Sequence, residues 1–200
     1  MNKDRELEID AEFNIETCEF DNEREDANHR AYEPTPYDVL DELIESGLIT
    51  GDDVVVDMGC GKGRVGFYLS NKTGCSVTGI DYDEIILEKA RENYTRTLRK
   101  CHVEFINAAA ENYEIRNTDS VFYFFNPFSE KILSSVLANI RDSYYECERE
   151  IKLVFYYPTL EYVGKLMTCD GLDFIDEIDC SHLYKDTKGR ECIMIFAFGT

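Results

Sequence analysis

The sequence predicts an α/β protein built on a doubly wound, mostly parallel seven-stranded sheet that ends in an antiparallel hairpin. Three observations carry this expectation. From residue 35 onward, short apolar runs of strand length alternate with segments of helical periodicity, and parallel neighbours need such crossovers, which are right-handed in nearly every protein. The runs at 120–125 and 151–157 are almost wholly apolar, the pattern of parallel strands buried on both faces. The runs at 174–180 and 191–198 leave no room for a helix between them, so they pair antiparallel.

Each element has a local reason. Thr35 and Pro36 read as an N-cap followed by proline in the first helical position, and Val39, Leu40, Leu43 and Ile44 form one apolar stripe that Gly47 ends. Residues 53–57 are the first strand, followed by a glycine turn and a helix containing Val65, Tyr68 and Leu69. Residues 75–81 form a second strand, after which Asp83 caps a long helix with Ile86, Leu87, Ala90, Tyr94 and Leu98 at helical spacing. Residues 103–107 are the third strand and 120–125 the fourth. Ser129 then caps a helix lined by Ile132, Leu133, Val136, Leu137 and Ile140, and residues 151–157 and 159–167 supply the fifth strand and the last helix.

At 200 residues the chain suits one main core without disulfide or metal staples. Two regions are expected: an acidic N-terminal extension over 1–30 and a single domain over 31–200. The extension holds eleven acidic and four basic side chains with few apolar ones, so it reads either as a solvated tail or as a flap over a ligand site. A formal charge of -20 disfavours a bare nucleic-acid backbone as partner. The eight cysteines form no C-x-x-C pair and several sit in apolar runs, which suits reduced thiols. With no apolar leader and no membrane-length apolar stretch, a soluble cytoplasmic protein without membrane partners is expected. Oligomeric state is not legible. His29, His102 and His182 lack the spacing of a metal site, so no metal is expected.

In such a sheet, ligands bind beyond the carboxyl ends of the strands. The first strand runs into Asp57-Met58-Gly59-Cys60-Gly61-Lys62-Gly63. Gly59 and Gly61 permit unusual dihedrals and close backbone approach, while Asp57 can hold a cationic group. Asp81, 24 positions later, can accept hydrogen bonds from both hydroxyls of a ribose, worth roughly 1.5–3 kcal/mol each for charge-assisted bonds. Tyr82 beside it can stack on a base, and Asn107 and Ala108 can read the edge of an adenine. Asn126, Pro127 and Phe128 follow the fourth strand. A ligand joining an amino acid to a nucleoside would use these turns together.

The motif Asp57 to Gly63 with Asp81 resembles the first two motifs of class I S-adenosylmethionine-dependent methyltransferases, and the order of elements from about residue 30 to 198 resembles their fold. Tyr32-Glu33-Pro34-Thr35-Pro36 also resembles bacterial methyltransferases akin to the Dot1-like and lysine-methylating groups. The resemblance implies S-adenosylmethionine as cofactor. Asp57 and the Gly59–Gly61 backbone would hold its methionine part, Asp81 the ribose, and Asn107 and Ala108 the adenine. Tyr32 and Thr35 would close the methionine end, although Thr35 is equally explained as a helix cap.

Phe125-Asn126-Pro127-Phe128 stands where amino-methylating members carry an Asn-Pro-Pro-Tyr-like motif, which aims a target nitrogen at the methyl carbon by positioning. Here Phe128 replaces the second proline and Ser129 the aromatic residue. Nitrogen methylation through Asn126, Pro127 and Phe128 therefore stands beside a reading in which Asn126-Pro127 is a turn that caps the next helix and touches only the cofactor, Asn126 being a cofactor-binding residue in either case. The acceptor is unidentified, a small molecule or protein being favoured over nucleic acid. Two alternatives remain open. One is a non-catalytic binder of adenosylmethionine or adenosylhomocysteine. The other is a dinucleotide-dependent oxidoreductase, because Gly61 to Gly66 fits G-x-G-x-x-G; against it, Asp57 and Gly59 come earlier and a carboxylate there would repel diphosphate. His29 beside Tyr32, His182 beside Tyr184, and Tyr157 at the end of the fifth strand are further candidates for the substrate mouth.

Overall fold

The computed structural model describes residues 3–19, 32–184 and 191–199. Its strands are β1 (Val54–Met58), β2 (Ser76–Asp81), β3 (His102–Asn107), β4 (Val121–Phe124), β5 (Ile151–Tyr156), β6 (Asp173–Asp179) and β7 (Cys192–Phe198). They form one sheet in the order β3-β2-β1-β4-β5-β7-β6. The first five strands are mutually parallel, and β7 runs antiparallel to both β5 and β6. The hairpin therefore enters the sheet with its second strand innermost.

Helices α1 (Lys3–Phe13), α2 (Tyr37–Glu45), α3 (Arg64–Thr73), α4 (Glu84–Arg96), α5 (Glu130–Glu146) and α6 (Leu160–Met167) complete the fold. Strand residues alternate between two cores. Val55, Val121, Tyr123 and Val154 join one with Leu40, Leu43 and Phe67, while Val56, Phe122, Phe124 and Phe155 join the other with Leu133, Leu137 and Leu166. This is the period-two signature of strands buried on both faces.

Local expectations hold at most boundaries. The Asp83 side chain accepts the Ile85 amide at the start of α4, and the Thr159 side chain accepts the Tyr162 amide at the start of α6. Gly47, with φ +70°, follows the end of α2. Three details differ from expectation. Thr35 does not cap α2; Pro36 is the N-cap, and the Thr35 hydroxyl bonds that of Tyr123 at 3.0 Å. Tyr94 and Leu98 are exposed, because α4 turns its apolar face through Ile86, Leu87 and Ala90 and stops at Arg96.

The third difference is the largest. Residues 3–19 are not a solvated tail. Phe13, Ile15 and Thr17 are buried, as are the carboxylates Glu6 and Asp10. The reason is Arg64, at the start of α3. Its buried guanidinium forms an ion pair with Glu6, lies 3.6 Å from Asp10 and donates to the Thr17 hydroxyl at 2.7 Å. Glu6 and Asp10 are four apart, on one face of α1, so both reach the same cation. Residues 1–2 and 20–30, the rest of the expected extension with His29, lie outside the described residues, as does residue 31. No helix among the described residues is long and apolar enough to cross a membrane.

Candidate active site

The carboxyl ends of β1, β2, β4 and β5 and the start of β7 surround a cavity of about 650 Å3. At its floor lies Asp57, 3% exposed. Its Oδ2 has no hydrogen-bond partner among the described residues. Burial, aided by the neighbouring Asp81 carboxylate, pushes its pKa up to about 8. A carboxyl group held out of water in this way favours a cationic group that restores its charge and fills its lone pairs.

The turn after β1 is shaped by contact with other segments. Gly59, Gly61 and Gly63 all have positive φ. A Cβ at Gly61 would fall 2.2 Å from the Tyr32 ring, and one at Gly59 would fall 2.4 Å from Pro127 Cβ, so no larger residue fits either place. The amides here serve the protein itself. Gly59 and Cys60 donate to the Ile80 carbonyl at 2.9 and 3.0 Å, and Gly61 donates to Asp81 Oδ2 at 3.0 Å. Asp81 Oδ1 accepts the Asp83 amide at 3.0 Å, and Asp81 lines the cavity.

Tyr82 and Ala108 line the cavity, but Asn107 does not. Its side-chain amide donates to the carbonyls of Asp81 and Tyr82 at 3.2 and 3.0 Å, and the Ala108 amide donates to Asp81 O at 3.0 Å. Asn107 thus ties the β3 end to the β2 turn.

Tyr32 and Thr35 also line the cavity, the Tyr32 ring against Gly61. The Tyr32 hydroxyl donates to Thr17 O at 2.9 Å, and the Lys62 ammonium sits 5.0 Å from its ring centroid. Lys62 also donates to Glu19 O at 2.7 Å. The Thr35 carbonyl accepts from Arg64 at 3.2 Å, so residues 3–19 brace this wall through the same guanidinium.

Beyond β4, Asn126 has φ +43° and Tyr157, beyond β5, has φ +49°. Left-handed backbone at two such residues costs about 1–3 kcal/mol each, and the structure binds them together. The Asn126 side-chain amide donates to the Tyr157 carbonyl, and its oxygen accepts the Thr159 amide at 3.3 Å. Phe128 is 4% exposed and packs edge-on against Phe124, with its carbonyl accepting the Tyr162 hydroxyl at 2.6 Å. Asn126, Pro127 and Phe128 all line the cavity, yet Phe128 does so as part of the core.

Several lining residues were not anticipated. Glu33 and Glu191 stand at the mouth beside Tyr156 and Tyr184. The Tyr156 hydroxyl lies 2.7 Å from that of Tyr184 and donates to Glu191 at 3.3 Å. Glu191 escapes a reading confined to the ends of parallel strands because it precedes an antiparallel one, whose start lies at the same edge. His182 is exposed and bonds Glu42 at 3.0 Å, outside the cavity lining; His102 is exposed at the start of β3. Among the described residues no cluster of three or more His, Cys, Asp or Glu is arranged to hold a metal.

Residues 55–144 match a family described as methyltransferase domain. An uncharacterized protein of Haemophilus influenzae is 32% identical over 83 residues, 40% of this chain and 33% of that protein; the chain spans about a third of that relative's length. Solved structures extend the likeness at the level of fold. A TehB-like SAM-dependent methyltransferase from Corynebacterium glutamicum superposes with TM-score 0.59 at 22% identity, over 80% of this chain and 87% of that one. Magnesium protoporphyrin IX methyltransferase from Synechocystis, solved with bound SAM, gives 0.59 at 15% identity over 81% and 77%. An RNA methyltransferase from Salinibacter ruber, in complex with S-adenosyl-L-homocysteine, gives 0.52 at 20% identity over 83% and 92%.

The protein thus has the class I, Rossmann-like fold of the S-adenosylmethionine-dependent methyltransferases. Its match to a methyltransferase domain takes in the glycine turn, Asp81 and Asn126.

Proposed function

We propose that this protein binds S-adenosylmethionine in the cavity and transfers its methyl group to an acceptor nitrogen near Asn126. The observation that carries the reading is Asp57, a buried carboxyl group with an unpartnered oxygen facing a cavity that also presents Asp81. These groups suit the cofactor: Asp57 its ammonium, Asp81 its ribose hydroxyls, and Tyr82, Ala108 and Phe128 the faces of its adenine. Gly59 and Gly61 supply room for close packing, and Tyr32 and Thr35 close the methionine end. The likeness of the Tyr32 to Pro36 segment to the Dot1-like and lysine-methylating groups agrees with that last assignment.

The cofactor supplies a sulfonium methyl that leaves as its sulfur becomes a neutral thioether. The chain's own contribution is positional. Asn126 holds Tyr157 in place, and the pair form the wall against which the acceptor lies. The same commitment of Asn126 to backbone partners favours a second reading, a binder without turnover, in which this corner is only structural. The eight free thiols and the lack of a membrane-length helix among the described residues suit a cytoplasmic location, and the charge of -20 suits a small-molecule or protein acceptor over nucleic acid.

Incubating the protein and a cell extract with methyl-labelled S-adenosylmethionine tests the activity. Label entering one chemical fraction is expected. A melting temperature raised by millimolar adenosylhomocysteine, with no fraction labelled, would leave the binder; a rise with a nicotinamide cofactor alone would refute both readings.

A further inference from the structure

Resting on the methyl-transfer reading of the same cavity, we propose that the acceptor is anchored by a cationic nitrogen group, an alkylammonium or guanidinium, between Glu33 and Glu191. The aromatic wall of Tyr156, Tyr157 and Tyr184 flanks it.

Topology separates this arm from the cofactor. The residues suited to adenosine follow β2 and β3, with Phe128 after the central β4, whereas Tyr156, Tyr157 and Glu191 border β5 and β7, farther along the sheet. Asp57, on β1, lies between the two groups. Buried and unpartnered, it already marks the cavity floor as a place for positive charge.

The charge balance of the arm points the same way. Among the described lining residues Arg64 is the sole cation, and Glu6 engages it in a buried ion pair. The Glu33 side chain has neither hydrogen bond nor ion pair among the described residues, and the Glu191 side chain has only the long bond from Tyr156. Burial raises the pKa of both, and the Glu191 charge raises that of Glu33 further. Two carboxylates that repel across a mouth are relieved by one cation between them. The partly exposed rings of Tyr157 and Tyr184 add aromatic surface that attracts cations. Phe125 and Tyr156 have centroids 4.7 Å apart, and Tyr156 and Tyr157 6.3 Å apart, so the wall is continuous. Among the described residues of this arm, a phosphate-bearing acceptor would meet only like charge.

The test uses the full chain saturated with adenosylhomocysteine, saturation being verified by a raised melting temperature. Calorimetry then compares phenethylammonium with its neutral isostere 2-phenylethanol and with phenylacetate. A terminally blocked Gly-Lys-Gly peptide distinguishes a side-chain amine from a free one. At least one cation is expected to bind about tenfold more tightly than the neutral isostere, the scale of one ion pair plus a ring contact, and phenylacetate not to bind. In the Glu33→Gln/Glu191→Gln double variant that preference disappears while the adenosylhomocysteine melting shift persists. Equal binding of cation and neutral isostere by the wild type overturns the proposal, whatever the stability of the variant. So does a preference that survives in the variant. If adenosylhomocysteine leaves the wild-type melting temperature unchanged, the cofactor reading itself fails, a distinguishable result.

Discussion

Asp57 sets the pH behaviour of the site. With its pKa raised to about 8 by burial and by Asp81, it carries a proton at neutral pH in the free protein. A ligand ammonium beside it favours the carboxylate, so binding below pH 8 releases that proton. Affinity then rises with pH, by up to about tenfold per unit, and levels off above pH 8, where nothing remains to release. Calorimetry of adenosylhomocysteine binding at pH 7, in two buffers of different ionisation enthalpy, should find about one more proton released by wild type than by Asp57→Asn; equal release would remove Asp57 from the ammonium site. Asn126 presents a separate test. Asn126→Gly keeps the left-handed turn but removes the tie to Tyr157, so we expect cofactor affinity within about threefold of wild type and turnover lost. Full turnover would reduce Asn126 to a turn former.

At the scale of elements, α1 and α3 are joined by the pairing of Arg64 with Glu6 and Asp10. Removing one partner of a buried ion pair strands the other charge, so Arg64→Met should lower unfolding free energy by about 3–5 kcal/mol in urea titration. A loss below about 1 kcal/mol would mean that α1 contributes little to the fold. This contact also explains where sequence reading succeeded and where it failed. The sheet, the glycine turn and Asp81 were legible because they rest on local patterns: apolar runs, glycines at positive φ, a carboxylate at a strand end. The burial of residues 3–19 was not, because Glu6 reads as a solvated acid until its partner 58 residues away is brought beside it. Asn107 is a related case, since an amide at a strand end serves the neighbouring turn as readily as a ligand, and here it donates to the carbonyls of Asp81 and Tyr82. Glu33 and Glu191 converge only through the tertiary fold.

For the molecule as a whole, the acidic excess has a structural use at the sheet edge. Among the described residues strand β6 pairs on one side only, with β7, and exposes Phe174 and Ile175. Such an edge invites pairing with another chain, and charged residues along it oppose that. Asp173, Asp176, Glu177 and Asp179 stand along this strand. Replacing these four by their amides should shift sedimentation at high protein concentration toward larger species; an unchanged profile would show that the edge needs no electrostatic guard.

The inward placement of β7 has a temporal consequence. On a growing chain β6 is complete before β7, yet its only neighbour in the sheet is β7. Until β7 arrives, β5 has an open edge and β6 has nothing correct to join. Acids along a strand oppose its pairing with a foreign edge, and β6 carries four of them. Glu191 and Tyr156 meet only when β7 slots between the two, so the acceptor mouth is completed after the cofactor turn.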